Sequence, residues 1–133
     1  MTLTLEQSIY AAMAANPAIV GLVGDRIYRL RVPEGEPVPY IVFFKVDNHR
    51  EHTCGDDAGP YNPLYQVSVY GKTQADVDQL RDAVITALRD VKGVLGGAGG
   101  YTVNRICLEN DQDVAEDSAD LRGCILEFVI FHA

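Results

Sequence analysis

Tryptophan is absent from this 133-residue chain, and aromatic residues make up only 8% of it. A partner surface therefore cannot be ranked by the Trp and Tyr anchors that usually dominate interfaces. Basic residues are scarce: 11 Lys and Arg stand against 19 Asp and Glu, for a net charge of −8. That balance excludes gripping nucleic acid by counterion release, which needs clustered cations. The three cysteines, Cys54, Cys107 and Cys124, are odd in number and lack CxxC spacing, which suits a reducing compartment better than a disulfide framework. No apolar run approaches the roughly 18 residues of a membrane span. The N-terminus has no basic n-region, and Glu6 and Gln7 break the stretch from Thr4 to Ala15, so no signal peptide is expected.

What is there is an ordinary globular composition, 47% hydrophobic and 23% charged. The length suits one domain, residues 1–133, able to bury about two thirds of its unfolded surface. There are no internal repeats, and the Gly96–Gly100 run is too short to separate domains.

A pass along the chain predicts the order α-β-β-β-α-β-β. Thr4 with Gln7 has capping-box spacing, and Ile9, Met13 and Leu5 form an apolar stripe behind it. Pro17 starts a turn or second helical piece, which Gly24 and Asp25 end. Ile27 to Leu30 is extended. Pro33, Pro37 and Pro39 then forbid helix and carry the chain to a strand beginning near Tyr40. There Tyr40, Val42, Phe44 and Val46 alternate with Ile41, Phe43, Lys45 and Asp47. Asp47 to Pro63 reads as a long loop, of the length usually reserved for function or disorder. In the strand after it, Tyr65, Val67 and Val69 share one face, and Gln66 and Ser68 the other. Thr73 fits an N-cap, with Asp76 and Asp78 in the first turns. Val77, Leu80, Val84, Leu88 and Val91 recur at helical spacing, and Lys92-Gly93 fits the helix end. Gly96–Gly100 reads as a flexible link or the approach to a hairpin, and strands are predicted at about 101–109 and 121–132, joined by an acidic link. The last strand is apolar on both faces: Cys124, Leu126, Phe128 and Ile130 on one, and Ile125, Val129 and Phe131 with Glu127 on the other. Such a strand is either central in its sheet or covered by another subunit.

Constellations that carry chemistry are weak. His49, His52 and Cys54, with Asp56 and Asp57 just beyond, are metal-competent types, but His-x-x-His-x-Cys matches no structural zinc spacing, and the segment reads as a solvated polar loop. Cys54 has neither a positioned base nor an oxyanion site in view. The glycine run lacks the Lys-Ser/Thr of a phosphate-binding loop. The acids from Glu109 to Asp120 lack the glycine and closing glutamate of a calcium loop. No cofactor and no catalytic residue is expected.

Charge is distributed unevenly. Residues 26–50 hold Arg26, Arg29, Arg31, Lys45 and Arg50 against Glu34, Glu36 and Asp47, for +2. Residues 101–133 hold Arg105 and Arg122 against Glu109, Asp111, Asp113, Glu116, Asp117, Asp120 and Glu127, for −5. A solvated face explains this plainly. A complementary pair of subunit surfaces is the sharper reading.

The order of these pieces resembles the tail completion, or tail terminator, proteins of long-tailed bacteriophages. The resemblance runs from the Ala11–Ala15 helix and Asn16-Pro17-Ala18-Ile19-Val20-Gly21-Leu22-Val23-Gly24-Asp25-Arg26-Ile27-Tyr28 through Pro39-Tyr40-Ile41-Val42. It continues with Tyr65–Tyr70, the helix from Thr73, the acidic stretch of Asp111 to Asp117, and Phe128–His132. It implies an α+β fold, a mixed and mostly antiparallel sheet of four or five strands with two helices packed on one face. It also implies a non-enzymatic virion-tail protein, assembled in the host cytoplasm. Such subunits form a homo-oligomer, a hexameric ring on the tail-tube protein that stops tube growth and meets a head–tail connector protein, while DNA passes through without specific binding. No membrane is involved. Another neck or adaptor component of the connector is the alternative; a small metal- or thiol-dependent enzyme is a more distant one. On this reading Arg26, Arg29, Arg31, His49, Arg50 and His52 belong to a subunit or partner interface. Asp56 and Asp57, with Glu109, Asp111, Asp113, Glu116, Asp117 and Asp120, belong to an acidic loop or channel wall.

Overall fold

Thr4 begins the first helix as its spacing predicts. Its hydroxyl accepts the Gln7 N–H at 3.2 Å, and the Gln7 side chain accepts the Thr4 N–H at 2.9 Å, so two otherwise orphaned donors are satisfied reciprocally. The computed structural model describes residues 3–50, 61–89, 91–97, 99–116 and 121–132. Helix α1 (Leu5–Ala14) buries Leu5, Ser8, Ile9 and Met13. The segment at Pro17 is a true helix, α2 (Pro17–Val23). Asn16 caps it by accepting from Ala18 and Ile19, and Gly24 ends it at φ +60°.

Five strands form the main sheet: β1 (Ile27–Arg29), β2 (Tyr40–Arg50), β3 (Tyr61–Gly71), β6 (Arg105–Glu116) and β7 (Leu121–Phe131). Their spatial order is β1-β2-β3-β7-β6, with β1 parallel to β2 and every other pair antiparallel. Helix α3 (Gln74–Leu88) lies against β3 and β7; α1 and α2 pack on α3, and α2 also meets β2. The expected helix stripe is the buried one: Val77, Leu80, Val84 and Leu88 are at most 2% exposed. Across from it lie Ile41, Phe43, Val67, Val69, Leu126 and Phe128, and each such side chain withdrawn from water stabilises the fold by roughly 1.5–3 kcal/mol.

Four boundaries differ from those the sequence predicts. α3 stops at Leu88, because Arg89 is extended, so the partly buried Val91 lies beyond the helix. The predicted strand at 101–109 is two: β5 (Tyr101–Val103), which pairs with β4 (Gly93–Leu95), and the start of β6. The expected acidic link is largely strand, since β6 runs to Glu116 in register with β7. Asn and Asp disfavour strand locally, but the ladder to an apolar neighbour overrides that weak preference. The expected loop from Asp47 to Pro63 likewise shrinks, as Asp47–Arg50 and Tyr61–Pro63 extend the β2–β3 ladder.

The glycine run makes the β4–β5 turn, and Gly96 is required there. Its φ is +84°, and a Cβ would sit 2.7 Å from the Ser8 carbonyl oxygen. This close approach lets the Ser8 hydroxyl accept the Tyr101 N–H at 2.8 Å and locks the hairpin onto α1.

β7, between β3 and β6, is an interior strand, which fits its two apolar faces. Cys124, Leu126, Phe128 and Ile130 face the helices; Ile125, Val129 and Phe131 are half-buried on the other face.

Candidate functional site

The strand order puts the two charged regions at opposite edges of one sheet. β1 and its flanks carry Arg26, Arg29 and Arg31 at one edge, and β6 carries Glu109, Asp111, Asp113 and Glu116 at the other. Nothing in their chain order demanded this, because four strand pairings, one parallel and three antiparallel, intervene.

At the basic edge each arginine has a different task. Arg26 donates from Nε to the Pro39 carbonyl at 2.9 Å and so ties the start of β2 to β1. Arg29 lies 3.5 Å from Glu6 on α1, and Lys45 reaches the same oxygen at 3.6 Å. That oxygen also accepts the Tyr65 hydroxyl at 2.9 Å. Burial raises the Glu6 pKa, but its own backbone N–H, Tyr65, Arg29 and Lys45 outweigh burial and hold the carboxyl below its usual value. Burial, then the bond to Glu6, pushes the Tyr65 phenol well up. Arg29 remains 60% exposed at its side chain and Arg31 is exposed, so both present charge to solvent. Tyr28 donates to Glu36, which pins the proline-rich link and pushes the phenol up to about 12.

At the acidic edge Asp111 is not free. Arg81 of α3 donates to it from Nε at 2.8 Å and from Nη2, and the Cys124 thiol donates to its other oxygen at 3.1 Å. Arg81 holds the Asp111 carboxyl low, while burial and then Asp111 raise the thiol to about 12. Asp111 thus has partners within its own subunit, Arg81 and Cys124. Glu109 and Asp113 are exposed, and Glu116 ends the strand.

His49 and Arg50 lie on β2 at the end of the β2–β3 ladder, paired with Asn62 and Tyr61. His52, Cys54, Asp56, Asp57, Asp117 and Asp120 lie outside the described residues. Among the described residues no three His, Cys, Asp or Glu side chains are grouped to hold a metal, and no helix is long and apolar enough to cross a membrane. The end of β2 at Arg50 and the start of β3 at Tyr61 lie at one end of the sheet, and the end of β6 at Glu116 and the start of β7 at Leu121 at the other, because β3 and β7 are antiparallel and pair Leu64 with Val129 and Gly71 with Arg122.

Sequence reasoning missed Glu6, Lys45 and Tyr65 as a cluster, and Arg81 as the partner of Asp111. Tyr65 is 59 residues from Glu6 and Arg81 is 30 from Asp111, so no spacing rule links them.

The family model described as tail completion protein gp17 matches residues 7–133. Among solved structures 29 chains match. One belongs to a particle described as the virion of native gene transfer agent; it has a TM-score of 0.74 and 19% identity, covering 96% of this chain and 92% of that one. At that identity the likeness is one of fold. No curated protein matches the sequence.

Proposed function

We propose, from the premise that the chain belongs to the tail completion protein gp17 family, that it forms a head-to-tail ring, a hexamer, on the end of the tail tube. The family is one of structural proteins of the bacteriophage tail. One observation carries the reading: a single sheet bears a basic edge and an acidic edge on opposite sides. A closed cyclic assembly with heterologous contacts needs two different, mutually complementary surfaces on each subunit, displaced around the axis. Two like edges would instead favour an isologous dimer or none.

The ring stops tube polymerisation, offers a surface to the head–tail connector, and leaves a channel for DNA. The net charge of −8 supports free passage, since a negative wall opposes adsorption of a polyanion. The two ends of the sheet, one at Arg50 and Tyr61 and the other at Glu116 and Leu121, serve different neighbours, one the tube and the other the connector. The protein acts without catalysis.

The test is the mass of the purified protein by light scattering, alone and with the tail-tube protein. A hexamer in either condition supports the ring. A strict monomer without affinity for the tube, but with affinity for the portal, would assign the chain to a neck or adaptor instead.

A further inference from the structure

The two edges are open in their backbones as well as opposite in charge. β1 ends at Arg29. The Leu30 N–H makes a last bond to the Phe43 carbonyl at 2.8 Å, and Leu30 then turns the chain away with φ +71°. That left-handed conformation is uncommon for a branched side chain. From Phe44 to Arg50, β2 is paired on its β3 side, and no described strand covers its other side. Where β1 leaves, a cavity of about 440 Å³ opens, lined by Arg29, Leu30, Phe44 and Lys45. Leu30 is 68% exposed and Val46 48%, two apolar side chains beside one uncovered strand.

The other edge is β6, twelve residues long and likewise uncovered on its outer side among the described residues. A long open edge invites another strand unless something opposes it. Acids oppose one partner in particular: a second β6 edge would bring the exposed Glu109 and Asp113 against the acids of another β6. They favour an edge flanked by arginines and lysine. The same charges that blunt self-pairing thus select the opposite edge.

We propose that the row vacated by β1 along Phe44–Arg50 of one subunit is filled by β6 of a second copy of this chain, so that neighbouring sheets join edge to edge. The pairing is antiparallel. Within the sheet β2 runs opposite to β6, and rotation about an axis along the strands preserves both directions. The incoming strand lies in line with β1, over Leu30 and Val46. Its acids meet Arg29, Arg31 and Lys45. Main-chain bonds supply the adhesion, as in other strand additions, and charge supplies the choice of edge. The inference rests on the ring reading but specifies its joint.

Backbone amide hydrogen exchange tests it, comparing dilute protein with the assembled protein, formed by concentration or on the tail-tube protein. The expected result is exchange slowed about tenfold or more at alternate amides of residues 105–116 and in residues 44–46. Glu109→Lys combined with Asp113→Lys, both exposed, is expected to abolish that protection while leaving the thermal unfolding of the subunit unchanged. A hexamer whose β6 amides exchange as in the dilute protein would overturn the strand pairing and leave the ring standing. Protection of β6 that appears without any self-association, on adding tube protein alone, would give the edge to a different chain and also overturn it. Absence of any oligomer, alone or on the tube, would remove the ring and the joint together.

Discussion

Arg81 on α3 and Asp111 on β6 are joined through two guanidinium nitrogens, Nε at 2.8 Å and Nη2. The pair ties α3 to the far edge strand, beside the buried Ile106 and the partly buried Leu108 of β6. Replacing Arg81→Met keeps the stem and removes the charge. It is expected to cost about 1–2 kcal/mol in urea unfolding, as is Asp111→Asn, because both groups are about one-third exposed or less. The double variant should lose less than the sum of the two, since each single change removes the same bond.

Acid should weaken the fold through the same group. Arg81 first, with the Cys124 thiol, holds Asp111 below its ordinary 3.8, despite burial. Glu6 also lies below its ordinary 4.5, although burial alone would raise it. A folded value below the unfolded one means that the unfolded chain takes up protons first. The stabilisation is therefore complete above about pH 4.5 and is lost as pH falls through the lowered folded values. Urea midpoints are expected to drop between about pH 5 and pH 3, and less steeply in Asp111→Asn than in the parent.

Gly123 lies under the ring of Tyr70, its partner in the β3–β7 register, and Tyr70 in turn stacks obliquely on Tyr40 at 5.3 Å. A Cβ at Gly123 would sit 2.6 Å from Tyr70 Cδ1 and 2.8 Å from the Val69 carbonyl oxygen. The ring can swing but the carbonyl cannot. Gly123→Ala is expected to destabilise by about 1–3 kcal/mol by thermal melting. Gly123→Ala with Tyr70→Ala should remain destabilised, because the backbone contact persists.

The Ser8 hydroxyl receives the Tyr101 N–H from 93 residues away, and Ser8 is fully buried. Ser8→Ala leaves that N–H without its acceptor and should cost about 1–2 kcal/mol in chemical denaturation. Hydrogen exchange at Tyr101 should rise with it, while β3 and β7 amides keep their protection.

Assembly should follow charge. Arg31→Glu is expected to weaken self-association about tenfold or more and to narrow the gap between low and high salt. Arg29→Glu is a less clean test, since it also sets a carboxylate beside Glu6. Sedimentation at two ionic strengths measures both; unchanged association of Arg31→Glu would remove the basic edge from the joint.

Local chemistry determined much of this protein from its sequence. The Thr4–Gln7 capping box, the Thr73 cap and the stripe of Val77, Leu80, Val84 and Leu88 announce two helices. The alternation from Tyr40 to Lys45 correctly separates buried Ile41 and Phe43 from half-buried Val42 and Phe44. Each signal acts within a few residues, so a linear reading suffices. The same holds for the two blocks of charge. Tertiary structure alone decided where those blocks sit and which way their side chains point. Ile106 and Leu108 lie on the helix-facing side of β6, and strict alternation would continue with Asn110, Gln112 and Val114. The register slips between Leu108 and Asn110, so Asn110 pairs with Glu127 and bonds it at 2.9 Å, while Asp111 faces inward opposite Leu126. One extra residue in a ladder turns every later side chain to the other face. That bulge brings Asp111 to Arg81, and its cause is the fit of β6 against β7 and α3, which no local pattern in the chain records.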